Sequence, residues 1–281
     1  MLDPWVPRLI AAWRRLRGSA ATAPALTAEE RRDVVAGAQR LSRGLTRERE
    51  LAGARYFEDP QLLGAYLFLY WPVSYAQAAS VLGEVGGARG RVLDVGAGPG
   101  PLALAALDAG AGQALALDRS AAALEVARAL AGAMALETAR WEPARPLPDG
   151  PFELVLAGHV LNELYGDDLA ARAALVEAML ARTAPGGFVV LVEPALRETS
   201  RALLALRDRL VRGGATVRAP CLYRGDCPAL VRPTDWCHAE RGWTPPPLVD
   251  ELARAAKLHR ETLKMSYLVL QAPGAAWPPL P

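Results

Sequence analysis

Apolar residues recur at two different periods along this chain, and the change of period divides it. In the first 18 residues Trp5, Leu9, Trp13 and Leu16 fall at helical spacing with Arg8, Arg14, Arg15 and Arg17 between them, which predicts an amphipathic helix. Its stripe suits packing on the protein's own body. The alternative is a partner or membrane surface, while Arg8 interrupts the apolar run that a secretory signal would need. Helical spacing continues from Thr27 to about Val85, with Thr27 as the expected N-cap and Glu29 and Glu30 in the first turn. Tyr66, Phe68, Tyr70, Trp71 and Tyr75 crowd the later part of that region, either as core or as the wall of a pocket. Gly83, Gly86, Gly87 and Gly90 then mark a boundary.

Beyond the boundary, short apolar runs alternate with Ala- and Leu-rich helical segments. The predicted strands are Arg91 to Val95, Gln113 to Leu117, Leu136 to Trp141, Phe152 to Ala157 and Phe188 to Glu193. Such alternation predicts βαβ units and a parallel sheet covered on both faces. Residues 88–212 thus read as a doubly wound α/β domain behind a helical N-terminal region, residues 1–87. Periodicity vanishes in residues 213–247, where Pro, Arg and Cys accumulate, so an irregular insertion ordered by something other than a core is expected there. Residues 248–281 return to regular structure, with a helix from Leu248 to Leu258, a strand within Glu261 to Gln271 and a loose Pro-rich tail from Ala272.

Composition narrows the function classes. With 281 residues, 52% hydrophobic and 22% charged, the chain has enough apolar content for a core and is neither a disordered tail nor a membrane protein by composition. No run approaches the roughly 20 apolar residues that cross a bilayer. Only Lys257 and Lys264 of the 32 basic residues are lysines, so the arginine richness accompanies the Ala, Gly and Pro richness as a coding bias. A net charge of +2 is low for a domain built on phosphate contacts. Three cysteines within one 17-residue window cannot all pair with one another, which points to metal ligation in a reducing compartment, with the cytoplasm as the expected location.

The most specific signal is Asp94-Val-Gly96-Ala-Gly98-Pro-Gly100 at the end of the first strand. Glycines there permit a tight turn and close approach of a ligand to the backbone at the carboxyl edge of the sheet. Asp118 ends the second strand 20 residues beyond Gly98, the spacing at which an acid accepts hydrogen bonds from ribose hydroxyls. A nicotinamide site would show G-x-G-x-x-G, whereas G-x-G-x-G after an aspartate resembles the loop of the Rossmann-like S-adenosylmethionine-dependent methyltransferases. That resemblance implies that Asp94, Gly96, Gly98 and Gly100 border the methionine part of the cofactor and Asp118 the ribose. Glu142, just after the third strand, is a candidate for the adenine end, or else a solvated loop carboxylate. The fourth strand runs into His159-Val-Leu-Asn162-Glu163-Leu, an edge that in this fold faces the transferable methyl. His159, Asn162 and Glu163 are therefore the candidates for acceptor contact, with a base needed only if the acceptor carries a proton. Alternatively Asn162 and Glu163 begin the next helix.

Cys221, Cys227, Cys237 and His238 have the spacing C-x5-C-x9-C-H. Structural zinc sites usually contain a closer cysteine pair and four protein ligands. Zinc stays open, an iron–sulfur cluster suits widely spaced thiolates better, and unligated cysteines are the third option.

Taken together, Ala65-Tyr-Leu-Phe-Leu-Tyr-Trp-Pro-Val, Asp94 to Gly100, His159-Val-Leu-Asn-Glu-Leu, the cysteine segment and Ser266-Tyr-Leu-Val-Leu resemble the methyltransferase-like family of mitochondrial small-ribosomal-subunit assembly factors and its bacterial relatives, over about residues 30–271. The resemblance implies a four-iron, four-sulfur (4Fe-4S) cluster held by Cys221, Cys227 and Cys237. Relatives carry a fourth cysteine in a segment beyond that strand, and these 281 residues do not contain it, so His238, another group or an open site is expected at the fourth iron. The implied activity is methyl transfer from S-adenosylmethionine to RNA of the small ribosomal subunit. A small-molecule (natural-product) methyltransferase and an assembly factor without turnover are the alternatives, and no membrane partner is expected.

Overall fold

The computed structural model describes residues 2–47, 50–51 and 56–278. Its first helix, α1 (Trp5–Leu16), buries Trp5, Leu9, Ile10 and Trp13 against the protein's own body. Trp13 meets Phe68 edge-on at 5.5 Å and lies across Gly64, where any side chain would collide with the indole. Removing each such large apolar side chain from water contributes about 1.5–3 kcal/mol, which decides between this packing and a free amphipathic face. The next helix, α2 (Ala28–Ser42), starts at a reciprocal cap. The Thr27 hydroxyl accepts the Glu30 N–H at 3.1 Å, and the Glu30 carboxylate accepts the Thr27 N–H at 2.7 Å. Buried Arg14 donates to the same carboxylate at 2.8 and 2.7 Å and holds it down to about 2. Helices α3 (Pro60–Leu69) and α4 (Trp71–Glu84) complete the N-terminal region.

The sheet is built from β1 (Arg91–Val95), β2 (Gln113–Asp118), β3 (Leu136–Arg140), β4 (Phe152–Gly158), β5 (Thr183–Pro194), β6 (Thr216–Ala219), β7 (Ala239–Gly242) and β8 (Thr262–Gln271). Its order is β3-β2-β1-β4-β5-β8-β6, with β7 also on β8. Helices α5 (Pro101–Asp108), α6 (Ala121–Ala131), α7 (Leu169–Leu180), α8 (Arg197–Arg212) and α9 (Pro247–Ala255) cover it. Along β4, Leu154 and Leu156 face the layer that holds α1 to α6 and α9, whereas Val155 and Ala157 face α7 and α8. Burial on both sides explains why the strands read as unbroken apolar runs rather than alternating ones.

The five strands expected to be parallel, β1 to β5, are parallel, and β8 is added antiparallel to β5, with β6 and β7 antiparallel to β8. A strand buried on both faces is equally apolar in either direction, so the residues of β8 carry no orientation signal. One expectation is corrected here: the segment 213–247 is not free of regular structure, because β6 and β7 lie collinear along the outer edge of β8. They pair at Val269–Gln271 and at Thr262–Met265 respectively. Between them the cysteine loop is held by arginines from α8. Arg201 donates to the carbonyls of Ala229 (3.1 Å), Arg232 (2.9 Å) and Asp235 (2.5 Å), and Arg207 bonds the Gly225 carbonyl and Asp208, which accepts the Cys227 N–H at 2.8 Å. Among the described residues no helix is long and apolar enough to cross a membrane.

Candidate active site

Strand order reverses between β1 and β4, and the crevice outside their carboxyl ends is where open α/β sheets bind ligands. A cavity of about 700 Å³ lies there. Its floor on one side is the glycine loop. Gly98 has φ +53°, and a Cβ there would press on the Phe57 ring at 3.2 Å, so both backbone and space favour glycine. The loop is fixed by four bonds among the described residues: Ala97 N–H to the Leu117 carbonyl (2.8 Å), Gly98 N–H to Asp118 Oδ2 (2.8 Å), Gly100 N–H to the Ala97 carbonyl (2.9 Å), and the Trp71 indole N–H to the Pro99 carbonyl (3.1 Å). Asp118 also accepts the Ser120 N–H through Oδ1 at 2.8 Å. Burial pushes this carboxyl up, and the N–H groups around it act in the opposite direction.

Gly96, Gly98, Asp118, His159, Asn162 and Glu163 all reach the cavity wall. Asp94, Gly100 and Glu142 are not on it; Trp141 and Pro143, the neighbours of Glu142, are. Asp94 is instead sealed beneath the first turn of α5, 1% exposed, with Oδ2 accepting the Ala103 N–H at 2.9 Å and Oδ1 left without a partner. Burial raises its carboxyl to about 7.

The β4 edge is set by a second buried acid that sequence reasoning missed. Glu193, 2% exposed near the end of β5, accepts the N–H groups of Leu161 (2.9 Å) and Asn162 (3.2 Å), which folds residues 159–164 into turns. Burial lifts it to about 7. The only local signal was an acid closing an apolar strand just before Pro194. Asn162 Nδ2 in turn donates to the His159 carbonyl at 2.8 Å, and His159 takes φ +58°. The alternative in which Asn162 and Glu163 open the next helix does not hold, because α7 is capped by Asp168. His159 Nε2 lies 2.9 Å from Gln77 Oε1; burial and then the Arg260 guanidinium push this imidazole down to about 4.

The aromatic cluster of the N-terminal region divides. Phe68, Trp71 and Tyr75 are core, whereas Tyr66 and Tyr70 line the cavity together with Tyr56 and Phe57. Tyr56 donates to Glu163 at 3.3 Å, Phe57 meets Tyr66 edge-on at 4.9 Å, and Tyr66 and Tyr70 lie within 12° of parallel.

The cysteines lie outside this cavity. Burial, and secondarily Cys227 and Cys221, push the Cys237 thiol up, so the three sulfurs share one neighbourhood. Among the described residues no three His, Cys, Asp or Glu side chains are gathered closely enough to hold a metal ion as they stand. His238 is turned to Glu240, at 3.1 Å, and stacks on Trp236. Glu240, also 3.0 Å from Lys264 Nζ, reaches the cavity.

A family model described as "Mitochondrial small ribosomal subunit Rsm22" matches residues 65–276, well over half of the chain. The chain belongs to the Rsm22 family. This Rsm22-family chain is also 35% identical over 126 residues to the ribosomal protein L11 methyltransferase of Pelobacter propionicus. That match takes in 44% of the chain and only 35% of the relative, so the chain spans about a third of the curated relative it matches. Among solved structures, a SAM-dependent methyltransferase of Leishmania major superposes with a TM-score of 0.52 and 13% identity, over 85% of this chain and 83% of that one. At such identity the likeness is one of fold, and the fold is Rossmann-like.

Proposed function

We propose that this member of the Rsm22 family is an S-adenosylmethionine-dependent methyltransferase whose acceptor is RNA of the small ribosomal subunit. The observation that carries the reading is the continuity of one cavity from the glycine loop and Asp118 to His159. S-adenosylmethionine supplies, when bound, a methyl group already activated on a sulfonium. The chain's own work is then positioning. Gly96 and Gly98 offer backbone that a ligand can approach, Asp118 holds ribose hydroxyls through its remaining lone pairs, and Trp141 and Pro143 flank the adenine end. Asp94 acts from beneath, by fixing the start of α5 rather than by contact. His159, with Asn162 and Glu163 behind it, borders the acceptor. The two names, Rsm22 and ribosomal protein L11 methyltransferase, support a ribosomal acceptor for this chain.

A small-molecule acceptor is the second reading, favoured by a cavity whose 700 Å³ falls in the range of small-ligand sites. Calorimetry with S-adenosylhomocysteine tests the shared part. Gly98→Val should abolish binding, and Asp118→Ala should weaken it by about 1–3 kcal/mol; unchanged affinity in both variants overturns the assignment. Co-sedimentation with small ribosomal subunits separates the two acceptors.

The 4Fe-4S cluster belongs to the same proposal, with Cys221, Cys227 and Cys237 as ligands and zinc as the alternative. Three thiols from one loop, close enough to raise Cys237, are a donor set that suits a sulfur-bound metal. His238, already held by Glu240 and adjacent to Cys237, is poorly disposed to join them. Anaerobically purified protein should be brown with about four iron and four sulfide per chain; colourless protein with stoichiometric zinc refutes the cluster.

A further inference from the structure

Gln77 is 2% exposed in the middle of α4, and its carboxamide joins two other elements. Nε2 donates to the Lys264 carbonyl of β8 at 3.0 Å, and Oε1 lies 2.9 Å from His159 Nε2. A main-chain carbonyl only accepts, so the amide nitrogen must face Lys264 and the amide oxygen must face the imidazole. That oxygen in turn only accepts. The single ring proton of neutral His159 therefore sits on Nε2, and Nδ1 keeps its lone pair. Among the described residues nothing bonds Nδ1, and the His159 ring lines the cavity.

We propose that Gln77 is a positioning residue that fixes His159 as its Nε2–H tautomer, so that Nδ1 accepts the hydrogen of a methyl acceptor whose reacting atom is a ring-borne amino nitrogen. The proposal rests on the methyltransferase reading above. In the transfer, the amino lone pair forms the new bond to the methyl carbon, the sulfur–methyl bond breaks with its electron pair going to sulfur, and the N–H proton passes to Nδ1 and on to solvent. An imidazole held down to about 4 by burial and by Arg260 stays neutral and accepting at ordinary pH. An amino nitrogen that becomes cationic on methylation is acidic enough to give its proton to so weak a base. A flat ring also suits the walls of the cavity, where Tyr66 and Tyr70 offer near-parallel faces and the Arg260 guanidinium lies 5.4 Å from the Tyr70 ring. Bases of ribosomal RNA and free aromatic amines share this chemistry.

The test is histidine-selective 15N NMR on the whole protein, which has only three histidines. One imidazole, identified by its loss in His159→Gln, should show a pyridine-type Nδ1 and a pyrrole-type Nε2 and stay neutral at pH 5.5. Gln77→Leu, which offers no acceptor to Nε2–H, should release the tautomer preference. An Nδ1–H tautomer or a charged ring in the wild type overturns the proposal. With labelled S-adenosylmethionine, transfer to purified small ribosomal subunits points to RNA as the source, and transfer to 4-aminobenzoate points to a free amine. Both His159→Gln and Gln77→Leu should slow it roughly tenfold or more while S-adenosylhomocysteine affinity holds. Label on carbon or oxygen, or on neither probe, counts against the acceptor role. Loss of S-adenosylhomocysteine binding by the wild type would instead defeat the methyltransferase reading while leaving the tautomer result intact.

Discussion

Asp94→Asn should make the protein more stable as pH rises, relative to wild type. Asp94 is sealed under α5 with one oxygen bonded to the Ala103 N–H and the other orphaned, and burial lifts its carboxyl from 3.8 to about 7. The folded state thus keeps this proton across a window in which the unfolded chain has lost it. Its contribution is fully present below pH 3.8, falls as pH rises towards 7, and is flat above that. At about 1.4 kcal/mol per unit, the loss between pH 5 and pH 8 is about 3 kcal/mol. Asparagine keeps the acceptor for Ala103 and cannot ionise. It leaves an amide N–H₂ where the orphan oxygen was, at a cost of about 1–3 kcal/mol that does not vary with pH. Urea unfolding followed by circular dichroism at pH 5, 6, 7 and 8 gives two stability profiles, and their difference cancels every other titrating group. That difference should grow by about 3 kcal/mol in favour of the variant from pH 5 to pH 8. Parallel profiles would mean that Asp94 ionises in the folded state as readily as in the unfolded chain, and the account of this acid as one sealed from water beneath α5 would fall.

Two further outcomes follow from other parts of the structure. His159 titrates in the opposite sense: its folded value is depressed to about 4, so stability is lost as pH falls from 6.5 towards 4. Because the ring partly faces the cavity, the roughly 3 kcal/mol that this shift implies is discounted to about 2, and His159→Gln should flatten the acid limb of the same urea profiles by that amount. Arg201→Ala should expose Arg224 to faster trypsin cleavage, since Arg201 bonds the carbonyls of Ala229, Leu230, Arg232 and Asp235 in that loop, with the main unfolding transition shifted by less than about 1 kcal/mol. An unchanged cleavage rate would show that the loop is ordered by other contacts.

What the sequence disclosed was local, and what it withheld was long-range. The Thr27 cap, the amphipathic α1 and the β1–glycine loop–α5 unit depend on residues a few positions apart, and the pattern shows them directly. Asp118 was legible because its distance from Gly98 along the chain is fixed by one βα unit. Gln77 gave no signal, since its partners His159 and Lys264 lie 82 and 187 residues away and nothing in its own helix distinguishes a buried amide from a surface one. The orderliness of the cysteine loop was hidden for a related reason: it comes from side chains of α8, not from apolar periodicity within the loop. Asp94 is expected from the motif to border the ligand, and its carboxyl faces the Ala103 N–H under α5, because a motif records that an acid is present at a turn but not which way its carboxyl faces.

The placement of β6 and β7 has a consequence for how this protein tolerates change. They act as a single edge strand interrupted once, leaving opposite Val269 and returning opposite Met265, so the exit and re-entry points are about 13 Å apart. Closing the ends of the excursion is done by the sheet, and lengthening such a loop costs only about 0.6 kcal/mol per doubling. The segment carrying Cys221, Cys227 and Cys237 is therefore a cassette: it can grow, shrink or be replaced by a short extended linker along Ser266 to Leu268 without altering the order or pairing of the strands beneath. A lineage can remodel whatever this loop holds while the crevice at Gly98 and His159 stays as it is.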